Sequence, residues 1–239
     1  MIPEDRHLNI GSIVFDGLDQ IDFTGPFEVL ARIPNSTFHL GAKTSSPVRD
    51  TRGLRIVPEK TFAEMPQLDV LHIPGGPGQE ALMEDEETLS FIRTQAAGAL
   101  YVFSVCTGAL ICGAAGLLVG KRATTHWAAM KVLPYLGAIP LNDRVVIEGN
   151  YIFAGGVTSG IDGALRLAAE LRGDKVAQQI QLYMQYHPEP PFDAGTPERA
   201  PKDVLEVTRE AVRGLTERRI ETAKRVGQRL GVANPDIAA

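Results

Sequence analysis

Short apolar runs rich in β-branched residues recur at 8–15, 36–43, 69–73, 100–105, 144–147 and 151–154, with helical patterns between or after most of them. No other feature constrains the fold as much. A strand buried on both faces reads as a continuous apolar run, and parallel neighbours need helical crossovers. The expected architecture is α/β, a mostly parallel sheet with helices on both faces.

The helical segments read as 22–32, 85–97, a segment from about 107, 126–136, 158–173 and 174–186. Pro26 suits the first turn of the first helix, where a missing N–H costs little. Gly173 reads as a helix stop, and Glu148-Gly149-Asn150 as a hairpin turn. Residues 53–62 read as a short edge segment, and 187–201, with five prolines, as an irregular connection. Residues 202–231 form a charged amphipathic pattern whose apolar face includes Val204, Leu215, Ala223 and Val226. Its arginine-rich side reads as a solvated surface, with a nucleic-acid helix as the alternative. The expected division is an α/β domain over 1–200 and a terminal helix over 201–239, packed on that domain or at a dimer interface.

The 239 residues are 44% apolar and 22% charged, enough for a substantial core. A net charge of −5 argues against nonspecific nucleic-acid binding. No apolar stretch approaches the roughly 20 residues needed to cross a bilayer. The first residues resemble no targeting peptide, and two cysteines do not build a disulfide scaffold. A cytoplasmic location is expected, with neither membrane nor nucleic acid as a partner.

Within ALYVFSVCTGALICGAAG, 99–116, a strand feeds Cys106 and a small-residue helix follows. Ser104-x-Cys106-x-Gly108 has the spacing of a nucleophile elbow, with cysteine replacing serine. Such a corner sets a side chain at the carboxyl end of a strand. It also aims the first helical N–H groups at the sulfur, which favours thiolate. Cys106 reads as a nucleophile, against the simpler alternative of a packed small residue. Cys112, six positions on, lies too far along a helix to pair with it and reads as core. His and Cys show no metal-ligand spacing, so no metal is expected.

Three other stretches join this corner. Pro74-Gly75-Gly76 follows a strand, and Gly76 N–H can pair with Thr107 N–H as an oxyanion hole. Asp22 either caps the following helix or faces the cysteine as a carboxyl of raised pKa that moves a proton. His126, beside the single tryptophan, reads as a structural hydrogen-bonder, with a Cys–His pair as the alternative.

In order, IDFTGP, PGG, SVCTG, ATTHW and GGVTSGID resemble the ThiJ/PfpI superfamily over about residues 8–190. The resemblance implies a flavodoxin-like three-layer sandwich, a homodimer and no cofactor. DFTGP, IPGG, ALMED, SVCTGAL, AAGLLVGKRATTHW, LGAIP and PPFDAGTP are similar to the members that hydrate isocyanides, which extends the match to about residue 200. That implies hydration of a small isocyanide to an N-substituted formamide through a thioimidate on Cys106. Asp22 would then move protons, Thr107 would supply an N–H and a hydroxyl to hold water, and Thr158 would line an apolar pocket.

Peptidases of the superfamily commonly carry a histidine after the nucleophile, where this chain has Thr107. Many members place a glutamate against the cysteine, where this chain has Asp22. Activities on carbonyl substrates therefore transfer less safely, and they stand beside an oxidation-sensing thiolate as alternatives. AraC-type regulators share several of these motifs but need about two helix-turn-helix units. The 49 residues after 190 are expected to leave no room for them.

Overall fold

A computed structural model describes residues 2–233 and residue 235. The C-terminal end of the 201–239 segment, beyond residue 235, lies outside the described residues.

Seven strands form the central sheet: β1 (Leu8–Ile13), β2 (Ser36–Ala42), β3 (Lys60–Thr61), β4 (Val70–Ile73), β5 (Tyr101–Val105), β6 (Val145–Glu148) and β7 (Tyr151–Ala154). Their spatial order is β6-β7-β5-β4-β1-β2-β3. Every neighbouring pair is parallel except the β6–β7 hairpin. The hairpin turns at Gly149, whose φ is +61°. The helices are α1 (Gln20–Leu30), α2 (Gln79–Leu82), α3 (Glu86–Gly98), α4 (Gly108–Ala114), α5 (Ser159–Arg172), α6 (Asp174–Tyr183) and α7 (Lys202–Arg229).

Two apolar cores sandwich the sheet. On one face Val29 and Leu30 of α1, Leu167 and Leu171 of α5 and Ile180 of α6 pack with Ile10, Val70 and Phe103. On the other, Leu89 and Ile92 of α3, Leu110 of α4 and Val226 of α7 pack with Ile13, Leu71 and Val102. Layers on both faces are what the apolar strands require, since neither side can meet water. The three-layer α/β expectation holds.

Three local departures have physical causes. Helix α1 begins at Gln20 because Asp19, not Asp22, caps it, accepting from Ile21 N–H at 3.2 Å. Pro26 consequently lies inside the helix rather than in its first turn. Residues 127–136 form a 3₁₀ helix containing Pro134, which ends at Gly137 with φ +79°. Helix α7 packs along this 3₁₀ segment, and its buried residues all lie between Arg219 and Gly227. Val204 and Val207, in its first two turns, are exposed.

Candidate active site

The site is assembled at the carboxyl ends of β4 and β5. Cys106 follows β5 directly and has φ +55°, the left-handed region that a non-glycine residue enters at a cost of about 1–2 kcal/mol. The strained corner is held from both sides. Cys106 N–H donates to the Ala154 carbonyl at 2.9 Å, and Thr125 Oγ1 donates to the Cys106 carbonyl at 2.8 Å. The sulfur is nearly closed off, with the residue 5% exposed.

The glycine turn after β4 packs against this corner. A Cβ on Gly75 would meet Thr107 N at 2.5 Å, and one on Gly76 would meet Asp19 N at 2.3 Å, so both positions exclude side chains. The turn does not supply the oxyanion pair expected from sequence. Gly76 N–H donates to Thr107 Oγ1 at 3.0 Å, and that hydroxyl donates back to the Gly76 carbonyl at 3.3 Å. The Gly76 N–H and the Thr107 hydroxyl proton are therefore both spent on this contact. They stitch the two loops together, because the chain reversal after β4 turns Gly76 towards the hydroxyl. The N–H groups beside the carboxyl and the sulfur are those of Gly75, which donates to Asp22 Oδ2 at 3.0 Å, and Thr107, which acts to favour the thiolate.

Asp22 is fully buried in the first turn of α1. Burial, with the charge of Asp19, pushes its carboxyl up to about 8, and the contacts with Cys106 and Gly75 N–H oppose that only in part. At neutral pH Asp22 is mostly the acid. Its Oδ1 has no hydrogen bond of ordinary geometry. The thiol and carboxyl nonetheless interact, each acting on the other's ionisation, which makes the resting contact a poorly aligned one. Catalytic hydrogen bonds commonly tighten only with substrate present.

Burial works against the thiolate that the helix N-terminus was expected to favour. Burial raises Cys106 well above the ordinary thiol range, and Asp22 adds to the rise. Thr107 N–H and the guanidinium of Arg219 pull the other way without offsetting it. A helix N-terminus stabilises a thiolate only as far as desolvation allows.

His126 does not serve the thiol. Its Nδ1 accepts from Ala128 N–H at 3.4 Å, and burial and Arg219 lower its pKa to about 4. Cys112 is fully buried in α4, and burial raises its thiol to about 12. Under the site, His72 of β4 shares a 2.9 Å hydrogen bond with Ser12 and is pushed by burial to about 3. The group that opposes this shift is the Asp22 carbonyl, which Pro26 leaves without its helical N–H partner.

Thr158 stands at the N-terminus of α5 and lines a cavity of about 300 Å³ together with Thr124, Thr125, His126 and Trp127. The expected apolar lining is only partly there. Val157 and Pro197 share the cavity with Asn142, Arg144 and Glu198, because the proline-rich connection folds back and Asn142 donates to Glu198 at 3.3 Å. Thr125, one of the cavity's lining residues, also holds the Cys106 carbonyl, so the cavity lies one residue from the cysteine corner.

Two contributors escaped the sequence reading. Thr125 lay within a motif attributed to its histidine. Arg219 lies in α7 and donates to the Gly76 carbonyl at 3.2 Å and to Gln79 Oε1 at 2.8 Å. Among the described residues no group of three or more His, Cys, Asp or Glu could hold a metal ion, and no helix is long and apolar enough to cross a membrane.

Comparison with known proteins agrees with this geometry. Residues 10–170 match the DJ-1/PfpI family. A Pseudomonas putida protein named isonitrile hydratase is 51% identical over 94% of this chain and 99% of its own. A glutathione-independent glyoxalase from Caenorhabditis elegans is 28% identical over 68% of this chain and 87% of its own. The crystal structure of a ThiJ/PfpI family protein from Pseudomonas syringae superposes with a TM-score of 0.90 at 40% identity, covering 93% of each chain. The sheet order, the strained cysteine corner and these matches together establish that the chain belongs to the DJ-1/PfpI family.

Proposed function

We propose that the chain hydrates isocyanides to N-substituted formamides, with Cys106 as nucleophile and Asp22 as the group that moves protons. One observation carries the reading. The buried thiol is partnered by a buried carboxylic acid and not by a histidine. The 51% identity to a protein named isonitrile hydratase supports it.

An isocyanide, R–N≡C, has no leaving group, and its terminal carbon accepts both a nucleophile and a proton. The Cys106 sulfur bonds to that carbon as Asp22 places its proton there, and the thiol proton restores the acid. The product is a thioimidate, R–N=CH–S. Water then adds to the same carbon, with Asp22 taking a proton from the water as the nitrogen gains one. The C–S bond breaks, the hydroxyl proton returns to sulfur, and R–NH–CHO leaves. Each step conserves protons and electrons, so neither metal nor redox cofactor is required. The Gly75 N–H orients the carboxyl throughout.

The small exposure of Cys106, 5%, suits this substrate. The functional group is linear and one atom wide, so its carbon can reach a sulfur that a trigonal carbonyl group would meet less easily. The R group would occupy the cavity beside Thr158. The same burial disfavours the oxidation-sensing alternative, which needs an exposed, low-pKa thiolate. A homodimer completes the proposal. Exposed Ile21 and Phe27 of α1 and Leu182 and Tyr183 of α6 offer apolar surface for it, and light scattering on the eluting protein gives the mass.

The test is incubation with an aromatic isocyanide in ¹⁸O-labelled water. Formamide carrying one ¹⁸O is expected. Absence of formamide from folded protein would overturn the assignment.

A further inference from the structure

We propose that Arg219 is a positioning residue of the cysteine site: from the C-terminal helix it holds the glycine turn against Thr107 and sets a positive charge opposite the sulfur. The inference rests on Cys106 being the nucleophile.

Arg219 is 4% exposed. A buried guanidinium is ordinarily paired with a carboxylate, since leaving it unpaired costs several kcal/mol. Among the described residues none lies within salt-bridge distance of it. Both of its hydrogen bonds go to neutral oxygens, those of Gly76 and Gln79. Glu80, a carboxylate that acts on it, is engaged with Arg218 and Thr222. Gln79 is itself fully buried and turns its Oε1 to the arginine, leaving its Nε2 without a partner. The local structure thus meets the demands of Arg219 first and leaves its charge unbalanced.

The charge is balanced when the sulfur becomes negative. A charged Cys106 sulfur favours the charged arginine more than Glu80 does, and Arg219 in turn favours the thiolate. Of the other charged groups facing this region, the cation Arg218 acts on Arg219 but is paired with Glu80. Asp22 is acidic, Asp19 acts on Asp22, and His126 is neutral above about pH 4. The hydrogen bond to Gly76 has a second effect. The same carbonyl accepts from Thr107 Oγ1, so Arg219 tightens the stitch that fixes the Thr107 and Gly75 N–H groups.

The experiment is the pH profile of Cys106 alkylation by iodoacetamide, read by peptide mass spectrometry, for wild type, Arg219→Met and Arg219→Lys. It needs no isocyanide, so its outcome is independent of whether the substrate is correctly assigned. Arg219→Met should raise the midpoint by about one unit and slow alkylation at pH 8 about tenfold. Arg219→Lys should keep the midpoint within a few tenths of a unit, because the positive charge is retained. Val226→Ala, in the same helix seam, should lower Tm without moving the midpoint. An unchanged midpoint in Arg219→Met would overturn the proposal. If Arg219→Met does not fold, a folded Arg219→Lys whose midpoint rises by a full unit would overturn it equally.

Discussion

Cys106 and Cys112 stand six residues apart around one short helix, and both are buried free thiols. Cys112 sits on the α4 side of the sheet among Ala and Leu side chains, and burial dominates its ionisation, opposed only by a contact with its own backbone. Cys106 sits at the end of β5 on the opposite core, held at φ +55°. It meets the Asp22 carboxyl, the Thr107 N–H and the Arg219 charge. Burial raises both thiols, so burial does not distinguish a reactive cysteine from an inert one. What distinguishes them is whether the surrounding shell can take and return a proton.

That contrast can be broken in steps. Cys106→Ala should lower formamide formation more than a thousandfold, with the fold retained by circular dichroism. Asp22→Asn should lower kcat by about 10²–10⁴, because the amide cannot relay a proton, and single-turnover kinetics would separate that loss from binding. A near-wild-type rate would reduce Asp22 to a structural group.

The pH profile sharpens the role of the acid. Activity should fall as pH rises through about 8, where Asp22 loses its proton. Stability should move with it. The Asp22 pKa is about 8 in the folded protein against an ordinary 3.8, so the folded state binds more protons than the unfolded one across that window, and stability falls with rising pH. Chemical denaturation of Asp22→Asn should show a flatter dependence. The buried histidines act in the opposite direction. His72 at about 3 and His126 at about 4 lie below their ordinary 6.5, so stability is lost as pH falls below about 6.5. The smallest effect belongs to Cys112→Ser. Its activity should stay within twofold, while stability drops by about 1–2 kcal/mol because a hydroxyl is buried without a partner. A larger loss of turnover there would erase the distinction between the two thiols.

Much of this was legible in the sequence because it is local. Apolar runs mark strands, Gly173 marks a helix end, and a strand followed by Cys106 and small residues marks the corner. The shifted start of α1 shows the limit. Asp19 and Asp22 are both competent caps, and only packing decides which one stays outside the core. The same limit applies to Gly75 and Gly76, where a one-residue rotation exchanges which N–H meets the carboxyl. Arg219 lies 143 residues from Gly76, in a helix full of arginines, so no local pattern names it. One signal was available. Position 219 falls on the stripe of Leu215, Thr222, Ala223 and Val226, where a solvated arginine does not belong.

The central claim is that Cys106 forms a covalent bond to the substrate carbon. Acid-quenched mass spectrometry during turnover of an aromatic isocyanide tests it most directly. The account predicts an adduct equal to protein plus one isocyanide, mapped to Cys106, absent from Cys106→Ala, and decaying as formamide appears. Full turnover by Cys106→Ala with no adduct on the wild type would contradict it.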